Sequence, residues 1–232
     1  MKSKQEILQN VRKIFSSRWT TKDGRVIPSV DDVGLGTNSG VELEAAVLYA
    51  DLTDSTGLVD RFKATFAAEI YKAYLHGACE VVKNNSGAIT AFDGDRVMAV
   101  FLGDTKNTQA TKAALQISAI VKAMNIELGE AYPSTSYTIR HTIGIDSGNL
   151  LVAKTGVWKF NDLVWVGSPA NYAAKLCVGG DEDYPIRITK RVYSKLSDSS
   201  KYGGDPRLNM WKRIEFPLED LEIYGSNWFW DF

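Results

Sequence analysis

Two aspartates in this sequence lie at the ends of apolar, strand-like segments. Asp51 ends the run at residues 46–51, AVLYAD, and Asp95 lies in a polar turn between the apolar stretches AITAF and VMAVF. Short apolar runs bounded by turn residues are typical of buried strands. Two carboxylates at neighbouring strand ends can hold a pair of hard divalent cations against a triphosphate. Together with the segment around Asn171, this pattern predicts chemistry on the phosphates of a nucleotide.

The composition argues against several other classes of function. The 232 residues carry 27 Lys and Arg against 28 Asp and Glu, so no overall basic field favours binding to nucleic acid. No apolar run approaches the roughly 20 residues of a membrane span, and the N-terminus has no signal-peptide core. We therefore expect a cytoplasmic protein without a membrane or nucleic-acid partner. Its two cysteines, Cys79 and Cys177, lie in apolar helix-like stretches and are predicted to be free, buried thiols.

Apolar periodicity predicts an α+β fold with a ferredoxin-like βαββαβ core, a mostly antiparallel sheet backed by helices. The predicted core elements are a strand at 45–51, a helix from 54 to about 83, strands at 88–92 and 96–102, a helix at 108–128, and strands at 137–146 and 149–153 around a turn at 147–148. Beyond the core we expect a strand at 163–166, a helix at 168–177, a strand at 186–189, a helix at 190–196 and a strand at 221–224.

The N-terminal part is predicted to be separate from this core. Residues 3–16 have apolar side chains at helical spacing, which predicts an amphipathic helix that docks on the main body. The following stretch is rich in Gly, Asp, Ser and Thr and predicts an irregular arm. The sequence therefore divides into a helix and arm at 1–40 and a catalytic domain at 41–232.

Three segments resemble the class III nucleotidyl cyclase family. YADLTDST resembles its first metal motif, and FDGDRVMAVF resembles the second, a Gly-Asp pair at a hairpin tip. HTIGIDSGNLLVAKTG followed by WVGSPANYAAKL resembles the strand pair and the helix that carries an asparagine four residues before a cation. The resemblance extends over about residues 45–224 and preserves the order of the motifs. It implies that a ribose 3′-hydroxyl attacks the α-phosphate of a nucleoside triphosphate and expels pyrophosphate.

The resemblance assigns the cations and the triphosphate to the end of the first core strand. Asp51 and Asp95 would ligate two Mg²⁺ or Mn²⁺ ions, and the carbonyl of Leu52 would supply a further metal ligand. Backbone N–H groups at the start of the following helix would bind phosphate oxygens. These N–H groups belong to Thr53, Asp54, Ser55 and Thr56.

The third motif supplies the remaining catalytic groups. By resemblance, Asn171 would orient the ribose, and Lys175, one helical turn later, would meet charge at the α-phosphate. In this family the carboxylates come from one protomer, whereas the asparagine and the cation come from its partner. Since this chain carries both sets, a homodimer with two shared, equivalent sites is implied.

Each of these residues also has an ordinary structural interpretation. A lone aspartate at a strand end is often a helix cap, and a Gly-Asp hairpin tip is often only a turn. Asp93 lies on the same turn as Asp95 and is the alternative metal ligand. Asp54 is predicted to cap the helix that follows it. Asn171 and Lys175, taken alone, are common on solvated helix faces.

Departures from the family's pattern narrow the substrate. Ala91 and Val164 occupy the places where purine-specific relatives carry a lysine and an aspartate that read the base. Lys175 replaces an arginine, which keeps the charge but loses the planar fork. Tyr224 replaces a phosphate-binding lysine, for which Lys154 or Arg96 would have to compensate.

A single cyclase domain with an N-terminal arm and without the purine-reading pair resembles the bacterial pyrimidine cyclases of the Pycsar antiphage system. The resemblance implies conversion of UTP to cyclic UMP, with the product read by a separate effector protein. CTP is the next candidate substrate. Two alternatives are a catalytically inactive nucleotide sensor and a purely structural dimerisation domain, although the second leaves the paired aspartates unexplained.

Overall fold

A computed structural model describes residues 2–178, 183–218 and 221–232 of the protein. The helices are α1 (Lys4–Ser16), α2 (Ser55–Arg61), α3 (Ala64–Asn84), α4 (Lys106–Ala131), α5 (Ser168–Leu176), α6 (Lys190–Ser194) and α7 (Asp198–Lys201). The strands are β1 (Thr20–Asp23), β2 (Ser39–Leu52), β3 (Ala88–Asp93), β4 (Arg96–Phe101), β5 (His141–Val157), β6 (Phe160–Val166), β7 (Ile186–Thr189), β8 (Tyr202–Gly203), β9 (Leu208–Asn209), β10 (Lys212–Ile214) and β11 (Ile223–Ser226).

The main sheet is built around β2, whose residues 45–48 have no exposed surface. Its strand order is β10-β11-β7-β5-β2-β4-β3, with β1 paired to β2 and β6 paired to β5. The four strands β5-β2-β4-β3 are antiparallel and, with α3 and α4, form the expected βαββαβ core. The predicted fold class, an α+β fold with a βαββαβ core, is therefore confirmed.

Helices cover the two faces of the sheet unequally. On one face, α3 and α4 bury Leu48 and Ala50 of β2 in the largest apolar cluster. On the other face, α5 packs Ala170 and Ala173 against Val47 of β2. The alternation of side chains along β2 therefore decides which face each residue serves. By the same alternation, Asp51 lies on the α5 face.

The approach of α5 to the sheet depends on a glycine in β5. An added Cβ at Gly144 would lie 2.1 Å from the carbonyl oxygen of Ala173 and 2.7 Å from the Cβ of Leu176. No side chain separates the two backbones at this point, so the position of α5 is fixed by direct backbone contact.

Two predicted elements differ from the structure. The helix expected at 54–83 is two helices, because Phe62 and Lys63 are extended. The ring of Phe62 packs 5.0 Å from that of Phe66 and 5.6 Å from that of Tyr137. The hairpin expected around 147–148 is wrong, since β5 continues through it: Ser147 and Gly148 pair with Ala46 and Ala45 of the central strand. Long-range pairing here overrides a local turn signal.

The N-terminal part forms elements of its own. The predicted N-terminal helix is present as α1, capped by Ser3, but no residue of the helix is buried, so the expected docking on the main body is wrong for the single chain. Its C-terminal end is held by Asn38, whose Nδ2 donates to the carbonyls of Ile14 and Ser17 at 2.7 and 2.8 Å. The arm then adds β1 to the sheet, parallel to β2.

Two further expectations are answered by the described residues. Cys79 and Cys177 are both free, as predicted; Cys177 is buried as expected, whereas Cys79 is only half-buried. None of the helices in the described ranges is both long and apolar enough to cross a bilayer.

Replacing Gly144 with alanine should destabilise the protein by about 1–3 kcal/mol, because the added methyl group would collide with the backbone of α5. The matched control is Gly129→Ala in α4, where nothing lies within 4 Å of the new Cβ. That change should stabilise the fold by about 0.5–1 kcal/mol through helix propensity. Urea denaturation measures both, and equal stability of the Gly144→Ala variant and the wild type would contradict the contact.

Candidate active site

The fold brings Asp51 and Asp95 to the same edge of the sheet. Because β2 and β4 are antiparallel and Ala50 pairs with Val97, the end of β2 lies beside the start of β4. Asp95 occupies the turn immediately before β4. The end of β2 is also fixed from behind, since the hydroxyl of Tyr74 in α3 donates to the backbone oxygen of Asp51 at 3.2 Å.

The two carboxylates are arranged so that they repel each other. The pKa of Asp51 is raised to about 6, first by burial and then by the negative charges of Asp95 and Asp93, against the opposing effects of Arg96 and of the N–H of Leu52. Oδ2 of Asp95 is buried and has no hydrogen-bond partner among the described residues. A buried acceptor without a donor beside a second carboxylate is a fitting place for divalent cations.

The protein side chains alone do not complete a metal site. Within the described ranges, no group of three or more His, Cys, Asp and Glu side chains converges. Mg²⁺ commonly keeps several ligands from water or from substrate phosphates, so two carboxylates suit a site that the substrate completes. Asp93, the alternative ligand, instead pairs with Arg96 at 2.6 Å and is 78% exposed.

The segment after Asp51 presents fewer free N–H groups than expected. The N–H of Thr53 donates to the carbonyl of Arg140 at 2.9 Å and so is not available to phosphate in this conformation. Ser55 and Thr56 begin α2, where the first N–H groups of a helix have no partner within it. The buried Leu52 forms the last β2 pair, opposite His141.

Asp54 is at the cap position of α2, yet its carboxylate makes no capping bond. Its backbone is left-handed, with φ of 60°, and its side chain pairs with Arg61 at 2.7 Å. The carboxylate lies against Gly57, where a Cβ would be 2.4 Å from Oδ1. Asp54 therefore occupies the predicted cap position, but its carboxylate bonds to Arg61 and makes no capping hydrogen bond to the helix.

Asn171 and Lys175 lie one turn apart on the outer side of α5 and are both exposed. The opposite side of the helix, with Ala173 and Leu176, is buried against the sheet. The helix begins as predicted, with Pro169 in its first turn. In the single chain, the side of α5 that carries the two candidate catalytic residues is thus open to solvent.

An ion pair between the buried Asp146 and the exposed Arg191, which the sequence did not reveal, lies at the start of α5. Asp146 in β5 has no exposed surface and accepts hydrogen bonds from the hydroxyl of Thr189 at 2.5 Å and from Nε of Arg191 at 3.2 Å. A second bond joins Arg191 Nη2 to Asp146, and Arg191 Nη1 donates to the Ser168 hydroxyl at 3.3 Å. The guanidinium also lies 5.7 Å from the ring centre of Tyr172, next to Asn171. No sequence signal marks this pair, since 45 residues separate its members.

Ala91 and Val164, at the two positions where purine-specific relatives read the base, point to opposite faces of the sheet. Ala91 in β3 packs against the apolar cluster on the α5 face, as does Trp165 in β6. Val164, next to Trp165, points to the other side of β6 and is 37% exposed. Neither Ala91 nor Val164 carries a polar group, so neither can pair with the edge of a purine.

Tyr224, which replaces a phosphate-binding lysine, and the two cations expected to compensate for it, Arg96 and Lys154, lie in different surroundings. Tyr224 stacks on Tyr193, with ring centres 4.0 Å apart, and so belongs to an aromatic pair. Arg96 lies over the ring of Tyr49 at 5.4 Å and lowers the pKa of Asp51, which places its positive charge beside the carboxylates. Lys154 lies in the part of β5 that pairs with β6, opposite Leu163.

Replacing Asp51 with asparagine should stabilise the metal-free protein above about pH 6. The Asp51 carboxyl has a pKa of about 6 in the folded state and about 3.9 in an unfolded chain. The folded state therefore keeps this proton after the unfolded state has lost it, and stability falls as the pH rises through that interval.

Urea midpoints measured in EDTA should be higher for Asp51→Asn than for the wild type at about pH 7.5, with a smaller difference at about pH 5. The exposed Asp60 of α2 provides the control, since Asp60→Asn should change little at either pH. A variant less stable than the wild type at both pH values would show that Asp51 is not under electrostatic strain.

Known bacterial proteins have sequences similar to this chain. No family model matches the sequence. The chain is 40% identical over 229 residues to a uridylate cyclase of Xanthomonas perforans, covering 98% of this chain and 97% of that one. It is 40% identical over 222 residues to a uridylate cyclase of Burkholderia cepacia, covering 95% of each.

The fold is also found among solved structures. A bacterial light-regulated adenylyl cyclase matches with a TM-score of 0.70 at 18% identity, over 81% of this chain and 52% of that one. The chain thus spans about half the length of that protein. With curated relatives that match almost from end to end and a fold shared with an adenylyl cyclase, this chain belongs to the class III nucleotidyl cyclase family and is a nucleotidyl cyclase.

Proposed function

We propose that the protein converts UTP to 3′,5′-cyclic UMP and pyrophosphate. The observation that carries this proposal is the Asp51–Asp95 pair, two mutually repelling carboxylates at one sheet edge, with a buried oxygen to which no group in the described ranges donates. Uridine as the base is supported by the two uridylate cyclases to which the chain is 40% identical.

In this mechanism the protein positions the reacting groups and neutralises charge. Asp51 and Asp95 hold two Mg²⁺ or Mn²⁺ ions. When bound there, these ions lower the pKa of the ribose 3′-hydroxyl and balance the charge of the triphosphate. The N–H groups of Ser55 and Thr56 contact phosphate oxygens at the start of α2. The hydroxyl then attacks the α-phosphate in line with the departing pyrophosphate.

Asn171 and Lys175 on α5 contact the substrate from the side opposite the two carboxylates. Asn171 hydrogen-bonds the ribose and fixes the direction of attack, and Lys175 meets the charge that develops at the α-phosphate. Lysine supplies this charge without a planar fork, so it binds one phosphate oxygen where arginine would bind two. Arg96, beside the carboxylates, supplies part of the positive charge that Tyr224 cannot.

The choice of a pyrimidine base also rests on the polar side chains that a purine site would need. A purine cyclase needs polar side chains that pair with the base, because an apolar wall discriminates weakly between polar edges. Ala91 and Val164 provide no such groups. CTP presents an amine where UTP has a carbonyl, and it is the second substrate to be tested.

We further propose that two copies of the chain form two shared sites. Asp51 and Asp95 are at the edge formed by β2 and β4, whereas Asn171 and Lys175 face outward from α5. A head-to-tail pair would bring the carboxylates of each copy against the outer side of the other's α5. Residues 1–40 are then an accessory arm on a catalytic domain at 41–232.

In the cell, the proposed role is second-messenger synthesis in the cytoplasm. Resemblance to the Pycsar pyrimidine cyclases supports a function in antiphage defence, with cyclic UMP read by a separate effector protein. Such a product needs no contact between the cyclase and its effector.

Incubation with each of the four nucleoside triphosphates and Mn²⁺ should give cyclic UMP as the main product by mass spectrometry. Asp51→Ala and Asp95→Ala should each lower the rate at least about a hundredfold, since each removes a group that holds the ions. Asp93→Ala, on the same turn, is the matched control and should stay within about tenfold of the wild type. Cyclic AMP as the main product would refute the base assignment, and no product would favour a nucleotide sensor.

Mixing Asp51→Ala with Asn171→Ala should restore activity to about a quarter of the wild-type rate. Random pairing makes about half of the dimers mixed, and each mixed dimer has one intact site of two, so the product is about one quarter. Asp51→Ala mixed with Asp95→Ala is the control. It should stay inactive, because each site takes both carboxylates from one copy and every copy lacks one of them. Recovery in both mixtures, or in neither, would argue against shared sites.

A further inference from the structure

A cavity lies on the face of the sheet opposite Asp51. It has a volume of about 210 Å³ and sits between α4, the adjoining ends of β2 and β5, and the chain near Asn227. Its walls include Thr53, Val121, Lys122 and Ile139. Nothing in the proposed reaction uses this space.

The size of the cavity limits what it can hold. A protein cavity of about 150 Å³ accepts benzene, so this one has room for a single six-membered ring with a small substituent. Pockets that bind drug-sized ligands have volumes of about 300–1,000 Å³, so this one is too small to enclose a nucleoside triphosphate. The cavity is therefore distinct from the nucleotide site in ligand size as well as in position.

The charges around the cavity favour an anion. Lys122 and Arg140 both line it, whereas no carboxylate does so among the described residues. Lys122 lies 3.3 Å from the ring centre of Phe229 and forms no ion pair within the part of the chain that the structure describes. Val121 and Ile139 provide apolar walls. A ring with one carboxylate matches both properties.

The walls are rigid because their polar groups bond to each other. The amide of Asn125 donates to the carbonyls of Val121 and Ile139 at 3.0 and 2.9 Å and accepts from the N–H of Ile139 at 2.7 Å. Ser118 bonds to the buried His141 ring at 2.9 Å. A preformed cavity of this kind costs little ordering when a ligand enters.

One wall is part of the segment that carries the candidate phosphate contacts. Thr53 lies two residues after Asp51, and it joins the two strands through its N–H to Arg140 at 2.9 Å and its hydroxyl to Thr142 at 3.2 Å. A ligand that contacts Thr53 and Arg140 therefore touches β2 and the chain entering β5 at the place where β2 delivers Asp51.

We propose that this cavity is an effector site for a small aromatic carboxylate, whose binding changes the rate of cyclisation by fixing the strand ends at Thr53. The binding part is independent of the proposed function, whereas the effect on rate rests on it. If the protein showed no cyclase activity, the binding measurement would still test whether the cavity takes the ligand.

The test uses the full chain and sodium benzoate as the probe. Titration followed by ¹H–¹⁵N NMR should give saturable shifts at Thr53, Ser118 and Asn125, with a dissociation constant in the millimolar range. Benzamide, which has the same shape without the charge, should bind about tenfold more weakly. Asp51→Asn should bind benzoate like the wild type, because that residue lies on the other face.

Two variants test whether benzoate binds in the cavity or only to positive charge on the surface. Val121→Phe fills the space and should abolish saturable binding, and Lys122→Gln should weaken it about tenfold while leaving the fold unchanged. Lys112→Gln is the matched control, since this lysine is exposed on the same helix away from the cavity.

The outcomes decide the two parts of the proposal separately. Benzoate shifts that do not saturate, or that persist equally in Lys122→Gln, would overturn the site. Saturable binding that leaves the rate of product formation unchanged at full occupancy would overturn its role as an effector site. A change in rate that Lys122→Gln shifts to higher benzoate concentrations supports both parts.

Discussion

The repulsion between Asp51 and Asp95 is the constraint on which this site depends. The pairing of β2 with β4 places both carboxylates at one edge, and burial prevents water from fully screening them. The fold therefore carries an electrostatic cost at this edge of the sheet, which a cation bound between the carboxylates would remove. The same pairing buries the remainder of β2, so the stability of the sheet holds the two charges together.

Much of this arrangement follows from local sequence. The apolar runs before Asp51 and after Asp95 are long enough to define β2 and β4, and the turn residues between β3 and β4 set the hairpin. Pro169 marks the start of α5. The places of Asp51, Asp95 and Asn171 at the ends of β2, the β3–β4 hairpin and α5 therefore follow from local sequence, whereas their roles rest on the family resemblance.

The features that could not be predicted depend on contacts between distant parts of the chain. Phe62 interrupts a helical pattern because it packs against Tyr137, and Gly148 remains in a strand because Ala45 pairs with it. The Asp146–Arg191 pair leaves no local trace, and Thr53 loses its free N–H to Arg140. In each case the local preference is worth less than the tertiary contact that replaces it.

The backbone contact between Gly144 and Ala173 has a consequence for how this enzyme can vary. Since no side chain acts as a spacer there, the height of α5 above the sheet is independent of which residues the helix shows to a partner. Exchanging a residue such as Lys175 alters the reach and shape of one cation but leaves its point of attachment in place. The side chains on the outer side of this helix can therefore be exchanged one at a time without altering the contact that sets its height.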